Sequence, residues 1–359
     1  MSVTSLIRRA AVIGATIALG AGGLAACGSP NDSESSSKDK KVIALLLPET
    51  KTARYEAFDK PLFEGKVKDL CDDCTVKYYN ADQDATKQAQ QVETAITAGA
   101  KVIVLDPVDG KAAVGMVKSA HDADAQVIAY DRFIEGADYY MSFDNETVGK
   151  LQAEALIEAM GDKGGYLQLN GAPTDPNAAQ FKAGADKAFA ASNLKLLTST
   201  SYDNPDWSPN NAQKYVSDQL SKIDPSEIKG VYAANDGQAG GVIAALTGAG
   251  VKADALPPVT GQDAELAAIQ RIIAGEQFMT IFKSYFIEAE KAGEVAVAIA
   301  NGDDVGETTD FQGVKSFIFD PVVVKKDNVK ADIVDSGLYK VADICTAEYA
   351  DACAAAGLS

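Results

Sequence analysis

The chain has 359 residues, of which 47% are hydrophobic, and this length suits about two globular domains. Its 51 acidic residues outnumber the 33 basic ones, and a formal net charge of −18 repels phosphate backbones, so nucleic acid is not an expected partner. No metal or cofactor is expected either, because His121 is the only histidine and no glycine-rich phosphate loop follows a strand.

The N-terminal residues have the pattern of an export signal. Arg8 and Arg9 precede an apolar run too short to span a membrane, and small residues then lead to Leu24-Ala25-Ala26-Cys27. We interpret residues 1–26 as a signal peptide and residues 27–40 as a lipidated Cys27 with a flexible tether, since Leu24-Ala25-Ala26-Cys27 resembles the bacterial lipobox. An ordinary signal peptide with an incidental cysteine is the alternative. The protein is expected outside the cytoplasm, anchored to the outer face of the cell membrane.

From residue 41 onward, continuous apolar runs alternate with helical patterns. The predicted strands are residues 42–47, 76–79, 102–105, 127–130, 139–143, 166–169, 194–198, 231–234, 258–261, 278–282 and 318–324. The predicted helices are residues 55–70, 83–98, 110–123, 147–160, 178–191, 210–221, 237–248, 265–274 and 286–300. This alternation is typical of an α/β protein with parallel sheets, and its restart after residue 144 predicts two doubly wound lobes.

Four cysteines remain beyond the tether: Cys71, Cys74, Cys345 and Cys353. Outside the cytoplasm they are expected to form two disulfides, and the short separations favour 71–74 and 345–353 among the three possible pairings. A redox role for the Cys-Asp-Asp-Cys motif is disfavoured, because it follows a helix and contains two acids, which oppose thiolate formation.

Polar side chains follow many of the predicted strands, at the sheet edges where ligands of α/β proteins bind. They are Arg54 and Tyr55, Asp131 and Arg132, Asn170 and Asn177, Asn235 and Asp236, Gln262 and Asp263, and Lys283. Amides, carboxylates and guanidinium groups read hydroxyls in pairs, and the single tryptophan, Trp207, offers a flat apolar face. This set predicts a monosaccharide site.

Each of these residues also has a simpler interpretation when it is considered alone. The Asp131-Arg132 pair would be an ion pair at a strand end, Trp207 a loop residue packed locally, and Tyr55 part of a helix core. Lys283 would be a surface lysine. The prediction of a site therefore depends on the whole set meeting at one edge.

The motifs Tyr130-Asp131-Arg132, Ser142-Phe143-Asp144-Asn145-Glu146, Asn235-Asp236, Gly261-Gln262-Asp263 and Met279-Thr280-Ile281-Phe282-Lys283 resemble those of periplasmic sugar-binding proteins of ABC importers. The resemblance extends from residue 41 to about residue 339. Within the family the chain is most similar to the D-xylose-binding members, with multiple-sugar-binding relatives nearby. It differs from them in carrying Tyr55 where a tryptophan is usual, and in the loop at residues 49–52.

The resemblance implies two Rossmann-like lobes that are joined by a three-strand hinge and close on a sugar. The N-terminal lobe would comprise residues 41–143 plus 263–319, the C-terminal lobe residues 144–262 plus 320–345, and the tail residues 346–359. The hinge would cross at residues 143–146, 261–264 and 319–321. The ligand-binding residues carried over at matching positions are Arg54, Tyr55, Asp131, Arg132, Asn177, Trp207, Asn235, Asp236, Gln262 and Lys283.

The implied function is a non-catalytic, monomeric receptor that delivers D-xylose or a related aldose to an ABC sugar permease in the membrane. A receptor of broader aldose specificity, or a sugar sensor for a transmembrane receptor, is the alternative. A secreted carbohydrate-active enzyme would need a carboxylate pair, for which Asp131, Asp236 and Asp263 are the candidates. A regulator of the LacI type would need a DNA-binding helix pair where the lipobox stands.

Overall fold

The computed structural model describes residues 40–358, and the predicted signal peptide, Cys27 and all but the last residue of the tether lie outside them. The strands are β1 Lys41–Leu47, β2 Cys74–Asn80, β3 Ala100–Leu105, β4 Gln126–Tyr130, β5 Tyr139–Phe143, β6 Gly165–Asn170, β7 Lys195–Leu196, β8 Tyr202–Asp203, β9 Ile228–Ala233, β10 Thr280–Phe282, β11 Thr309–Phe311, β12 Val314–Phe319 and β13 Val322–Val324. The helices are α1 Lys60–Leu70, α2 Ala85–Thr97, α3 Gly110–Asp122, α4 Asn145–Ala159, α5 Pro176–Ala190, α6 Pro209–Leu220, α7 Asp236–Gly248, α8 Leu266–Ala274, α9 Tyr285–Asn301, α10 Val341–Ile344 and α11 Ala350–Ala355.

A seven-stranded sheet forms the first half of the fold, in the order β11-β12-β5-β4-β3-β1-β2. All neighbouring strands in it are parallel except the β11–β12 hairpin. Apolar side chains cover both faces, with Ile43 and Val102 in one core cluster and Ala44 and Ile103 in another. This burial on both faces explains why the strands are continuous apolar runs rather than alternating patterns.

A second sheet of four strands lies in the part of the chain between β5 and α8. Its central strand β6 pairs in parallel with β9 along its length and with the short strands β7 and β8 at two separate points. Two core clusters flank this sheet, one around Val148 and Tyr232 and the other around Leu167 and Val242. The predicted α/β architecture with two parallel, doubly wound sheets is confirmed.

Two predicted strands differ from the structure in detail, and one observed strand was not predicted. The strand predicted at residues 258–261 is reduced to a single bridge between Val231 and Val259. The strand predicted at residues 318–324 is divided by Asp320 and Pro321 into β12, in the large sheet, and β13, which pairs antiparallel with β10. The edge strand β11 was not predicted, since it is short and partly polar.

The described cysteines form two disulfides, 71–74 and 345–353. The second disulfide joins α11 to the end of α10, and Cys353 belongs to the same apolar cluster as Ile344 and Ile269. It therefore holds the C-terminal helix against α8. Within residues 40–358, no helix is long and apolar enough to cross a membrane.

Candidate functional site

A small cavity lies between the carboxyl ends of the two sheets. Its lining residues are Thr52, Arg54, Tyr55, Asp131, Arg132, Asp175, Asn177, Phe181, Trp207, Asn235, Gln262, Asp263 and Lys283. The structure thus brings together nine of the ten residues predicted to bind ligand, and Asp236 is the exception. The lining includes three cations and three carboxylates, so their formal charges balance.

Arg54 immediately precedes a π-helical turn, Tyr55–Asp59, that leads into α1, and its guanidinium is held on the side away from the cavity. Its Nε and Nη2 donate to the Asp59 carboxylate at 2.9 and 2.6 Å, and Nη2 also donates to Glu288 Oε2 at 2.8 Å. The hydroxyl of Tyr130 donates to Asp59 as well. The remaining nitrogen, Nη1, lies 3.6 Å from Asp131 Oδ2. The fork is therefore fixed in place with one nitrogen turned toward the cavity.

Asp131 follows β4 and lies among positive charges. Lys283 Nζ is 3.6 Å from Asp131 Oδ1 and 3.5 Å from Asp263 Oδ1, and it also lies over the Phe181 ring at 5.7 Å from the centroid. Burial acts to raise the pKa of Asp131, but the charge of Lys283, followed by those of two arginines, outweighs it and lowers the pKa. Asp131 is therefore an ionised hydrogen-bond acceptor, and Lys283 is buried rather than a surface lysine.

Arg132 points in a different direction from Asp131 and connects elements of both sheets. Its Nη1 donates to the backbone oxygen of Pro107 at 2.9 Å, and Nη2 donates to the Tyr55 hydroxyl at 3.2 Å. Its Nε lies 3.3 Å from Asp106 Oδ1 and 2.9 Å from Asp175 Oδ2. Tyr55, Pro107 and Asp106 adjoin the seven-stranded sheet, whereas Asp175 follows β6 of the four-stranded sheet. The ion pair with Asp175 thus spans the cavity.

Trp207 is 5% exposed and lines the cavity from the loop before α6. Its Nε1 donates to Asp175 Oδ2 at 3.1 Å, and the Phe181 ring lies edge-on with the centroids 6.4 Å apart. The ring packs in the core cluster that contains Tyr232 and at the same time faces the cavity. Tyr55 likewise combines packing in the core of the large sheet with a place in the lining.

Four lining residues have a buried polar side-chain atom without a hydrogen-bond partner in the described part of the chain. These atoms are Arg54 Nη1, Arg132 Nε, Asn177 Oδ1 and Gln262 Oε1, of which Arg132 Nε has only its ion-pair contacts. Buried polar atoms are almost always hydrogen-bonded, and leaving one unpaired costs about 1–3 kcal/mol. Two donors and two acceptors around one cavity therefore indicate a ligand that both donates and accepts.

Three lining residues other than glycine have a positive φ angle: Asp131 (56°), Trp207 (63°) and Asp263 (93°). This region is unfavourable for L-residues, and such strain is retained mainly at binding and catalytic sites. Local bonds hold the conformation, since the Asp131 amide donates to Met141 O at 2.9 Å and the Tyr285 hydroxyl donates to Asp263 O. The strained backbone turns these side chains into the cavity.

The structure does not bring Asp236 into the lining. Its carboxylate accepts from Gln277 Nε2 at 2.7 Å, from Thr280 Oγ1 at 2.9 Å and from the backbone amide of Glu265 at 2.9 Å. A Cβ atom at Gly261 would lie 2.0 Å from Asp236 Oδ1, so the chain passes closely over this group. Asp236 therefore braces the segment around residues 261–265, and its neighbour Asn235 is the one that lines the cavity.

The sequence interpretation missed three lining residues and did not place a fourth. Thr52, Asp175 and Phe181 were not predicted, and Asp263 was noted only as a strand-end residue and an enzyme candidate. Asp175 did have a detectable signal, since an Asp followed by Pro and Asn is typical of a helix N-cap with Pro at the first position. Nothing in the sequence distinguishes Phe181 from the other core residues of α5.

Comparison with known proteins identifies the family. A family model described as a periplasmic binding protein domain matches residues 43–304. The D-xylose-binding periplasmic protein of Escherichia coli (strain K12) is 34% identical over 84% of this chain and 92% of its own length. The multiple sugar-binding periplasmic receptor ChvE of Rhizobium radiobacter is 35% identical over 72% of this chain and 80% of its own length.

A solved structure agrees with these relatives. It is an ABC transporter solute-binding protein from Clostridium phytofermentans with bound β-D-glucose, at a TM-score of 0.77 and 26% identity, covering 85% of this chain and all of the other. The chain therefore belongs to the periplasmic binding protein family. It is a solute-binding protein of the type I fold that serves ABC importers, and not an enzyme.

Proposed function

We propose that the protein closes on a neutral monosaccharide, D-xylose or a related aldose, and delivers it to the membrane-embedded permease of an ABC importer. The relatives described above are a D-xylose-binding protein and a multiple sugar-binding receptor, and the similar solved structure holds β-D-glucose. Their sugars differ, so a receptor that accepts several aldoses is the alternative within the same class.

The observation that carries this proposal is the cavity with its unpartnered polar atoms. The cavity is lined by polar and charged side chains together with three aromatic rings, those of Tyr55, Phe181 and Trp207. A pyranose fits the chemistry because each hydroxyl donates and accepts, matching Arg54 Nη1 together with the oxygens of Asn177 and Gln262. Its apolar ring face would pack on the Trp207 indole.

The balance of charge in the lining argues for an uncharged ligand. Each cation already lies within 3.6 Å of a carboxylate, as in the pairs of Lys283 with Asp131 and of Arg132 with Asp175. An anionic ligand would have to displace one of these carboxylates or lie unpaired beside it in a buried site. Sugar hydroxyls can instead bond to both members of a pair.

We infer that the two lobes close by a hinge motion at the predicted crossings, residues 143–146, 261–264 and 319–321. Two crossings are supported by topology, because β5 leads from the large sheet into α4 and β12 leads from it into β13. The crossing at 261–264 has no such support, because Met279 and Ile281, which come after it in the chain, still pack in the core cluster around Val148. A ligand that contacts both lobes would stabilise the closed state.

A thermal-shift panel of aldopentoses and aldohexoses tests the proposal. A sugar present at one hundred times its Kd should raise the free energy of unfolding by about 2.7 kcal/mol, which is a clear rise in melting temperature. Sorbitol at the same concentration controls for general osmolyte effects. A panel in which no aldose stabilises the protein more than sorbitol would contradict a monosaccharide receptor.

We also propose that Cys27 carries a lipid that anchors the protein to the membrane. The support is the signal-like sequence that ends in Leu24-Ala25-Ala26-Cys27. Cys27→Ser should release the protein from the membrane fraction into the medium without changing its sugar affinity. Recovery of both forms in the same fraction would contradict the anchor.

A further inference from the structure

The Trp207 ring is held in the cavity wall from two opposite sides. At one edge, its Nε1 donates to Asp175 Oδ2 at 3.1 Å. At the other edge, the six-membered ring lies against Gly171, where a Cβ atom would approach Cη2 to 2.0 Å. The side chain is therefore pinned by a hydrogen bond and by a backbone that only glycine allows so close.

Asp175 does more than cap a helix. Its Oδ1 accepts from the backbone amide of Asn177 at 2.8 Å, which is an ordinary N-cap bond at the start of α5. That bond leaves Oδ2 free, and Oδ2 accepts a hydrogen bond from Trp207 Nε1 at 3.1 Å and forms an ion pair with Arg132, whose Nε lies 2.9 Å away. The cap does not need these two contacts, so they require a separate explanation.

The two partners of Oδ2 come from different parts of the fold. Trp207 and Asp175 follow β8 and β6 of the four-stranded sheet, whereas Arg132 follows β4 of the seven-stranded sheet. The same crossing is reinforced by Asn177 Nδ2, which donates to the backbone oxygen of Asp131 at 3.0 Å. Asp175 is 3% exposed, so these contacts are shielded from water and from competing ions.

We propose that Asp175 is a positioning residue that orients the Trp207 ring against the sugar and couples that orientation to Arg132 on the opposite side of the cavity. This inference rests on the proposed sugar-binding function. Asp175 acts through Trp207 and Arg132, so losing its charge should loosen the ring and weaken closure together.

Because Trp207 is the only tryptophan, its indole reports on this contact without interference. In ¹⁵N-labelled protein the single indole N–H resonance should exchange slowly with water, and in Asp175→Asn it should shift and exchange faster. Acrylamide should quench the tryptophan fluorescence more strongly in the variant than in the unmutated protein. For each of D-xylose and D-glucose that binds the unmutated protein, Asp175→Asn should raise the Kd at least about tenfold.

The control is Asp84→Asn, because Asp84 caps α2 through two backbone amides and lies outside the cavity lining. It should lose comparable helix-cap stability but leave the indole resonance, the quenching and the Kd unchanged. Gly171→Ala tests the opposite edge of the ring and should increase quenching while Asp175 is intact. If Asp175→Asn leaves the indole resonance, the quenching and the Kd unchanged, as Asp84→Asn should, the proposal is wrong.

The indole measurements separate this inference from the proposed function. If neither sugar binds the unmutated protein, the sugar proposal fails, yet a protected indole that is released by Asp175→Asn would still establish the contact. If Asp175→Asn does not fold, the exchange rate of the indole proton in the unmutated protein still tests whether the contact between Asp175 and Trp207 exists. An exchange rate like that of a fully solvated indole would refute the contact.

Discussion

Asp131 and Asp236 follow buried strands in the same way, and both are almost completely buried, yet they do different things. Asp236 has three donors within 2.9 Å, all from its own surroundings. Asp131 has looser contacts, with cations at 3.6 Å and an amide at 3.4 Å, and it faces the cavity. A buried carboxylate with short internal bonds is committed to the fold, whereas one with long contacts beside a cavity is available to a ligand.

The sharpest test of this difference is Asp131→Asn. Hydrogen bonds to a charged group contribute about 1.5–3 kcal/mol each, so losing the charge at two hydroxyl contacts should raise the Kd for D-xylose or D-glucose about a hundredfold or more. Asparagine tolerates the positive φ of 56°, so the fold should persist. Calorimetry gives the Kd, and far-UV circular dichroism checks the fold. Unchanged affinity would remove Asp131 from the site.

Asp236→Ala should give the opposite pattern. It leaves the donors of Gln277, Thr280 and the Glu265 backbone without an acceptor, so the free energy of unfolding should fall by roughly 3 kcal/mol. Urea denaturation measures this loss. The sugar Kd should change far less than in Asp131→Asn, and a binding loss larger than the stability loss would place Asp236 in the site after all.

A third buried carboxyl group, Glu288, accepts a hydrogen bond from Arg54 and should make the stability of the protein depend on pH. Burial, followed by the charge of Asp131, raises the pKa of Glu288 from 4.5 to about 8. Between these values the folded protein holds a proton that the unfolded chain releases, so this contribution to stability is complete below pH 4.5 and is lost as pH rises through 8. Glu288→Gln should make the fall in unfolding free energy over this range shallower, by at most about 1.4 kcal/mol per pH unit.

The measurement for Glu288 is a series of urea denaturations at pH values from 5 to 8. Glu265, whose pKa is raised to about 7 mainly by burial, contributes in the same direction, so Glu265→Gln is the matched comparison. The slope should flatten for Glu288→Gln up to pH 8 and for Glu265→Gln only up to pH 7. Parallel curves for Glu288→Gln and the unmutated protein would show that Glu288 does not take up this proton.

The smallest expected effect concerns the rim of the cavity. Lys51 Nζ lies 2.7 Å from Asp206 Oδ2, but both side chains are about one-third exposed. Such surface pairs contribute about 0–1 kcal/mol and are screened by salt. Lys51→Ala should therefore change the sugar Kd less than about fivefold at low salt, and the difference should vanish at high salt. A larger effect that persists in salt would make Lys51 part of the binding surface.

Much of the fold was predictable from apolar patterns, because strands buried on both faces form continuous apolar runs. Strand β1 and helix α3 were predicted nearly to their observed ends. The patterns failed where tertiary structure, rather than local sequence, determines where a strand ends. The run at 318–324 is apolar except for Asp320, yet Pro321 lacks an amide proton and follows the point where the chain leaves the large sheet.

Most residues that line the cavity were predictable, but the division of roles among them was not. Topology brings strand-end residues to one edge, which is why Asn177 and Lys283 both line the cavity although they are 106 positions apart. The same rule selected Asp236, because a sequence does not show which carboxylate will meet donors inside the fold. The positive φ angles of Asp131 and Asp263, and the contact of Asp175 with Trp207, depend on segments distant in sequence.

The charge balance of the cavity has a kinetic consequence. The chain as a whole carries a net charge of −18, and such a field accelerates or repels only charged partners. A neutral ligand that enters a lining with three cations and three carboxylates feels no net attraction at long range. Its association rate should therefore be nearly independent of ionic strength, whereas the association of an anionic metabolite should be slowed by repulsion at low salt. The net charge would then favour neutral over anionic solutes without slowing the neutral ones.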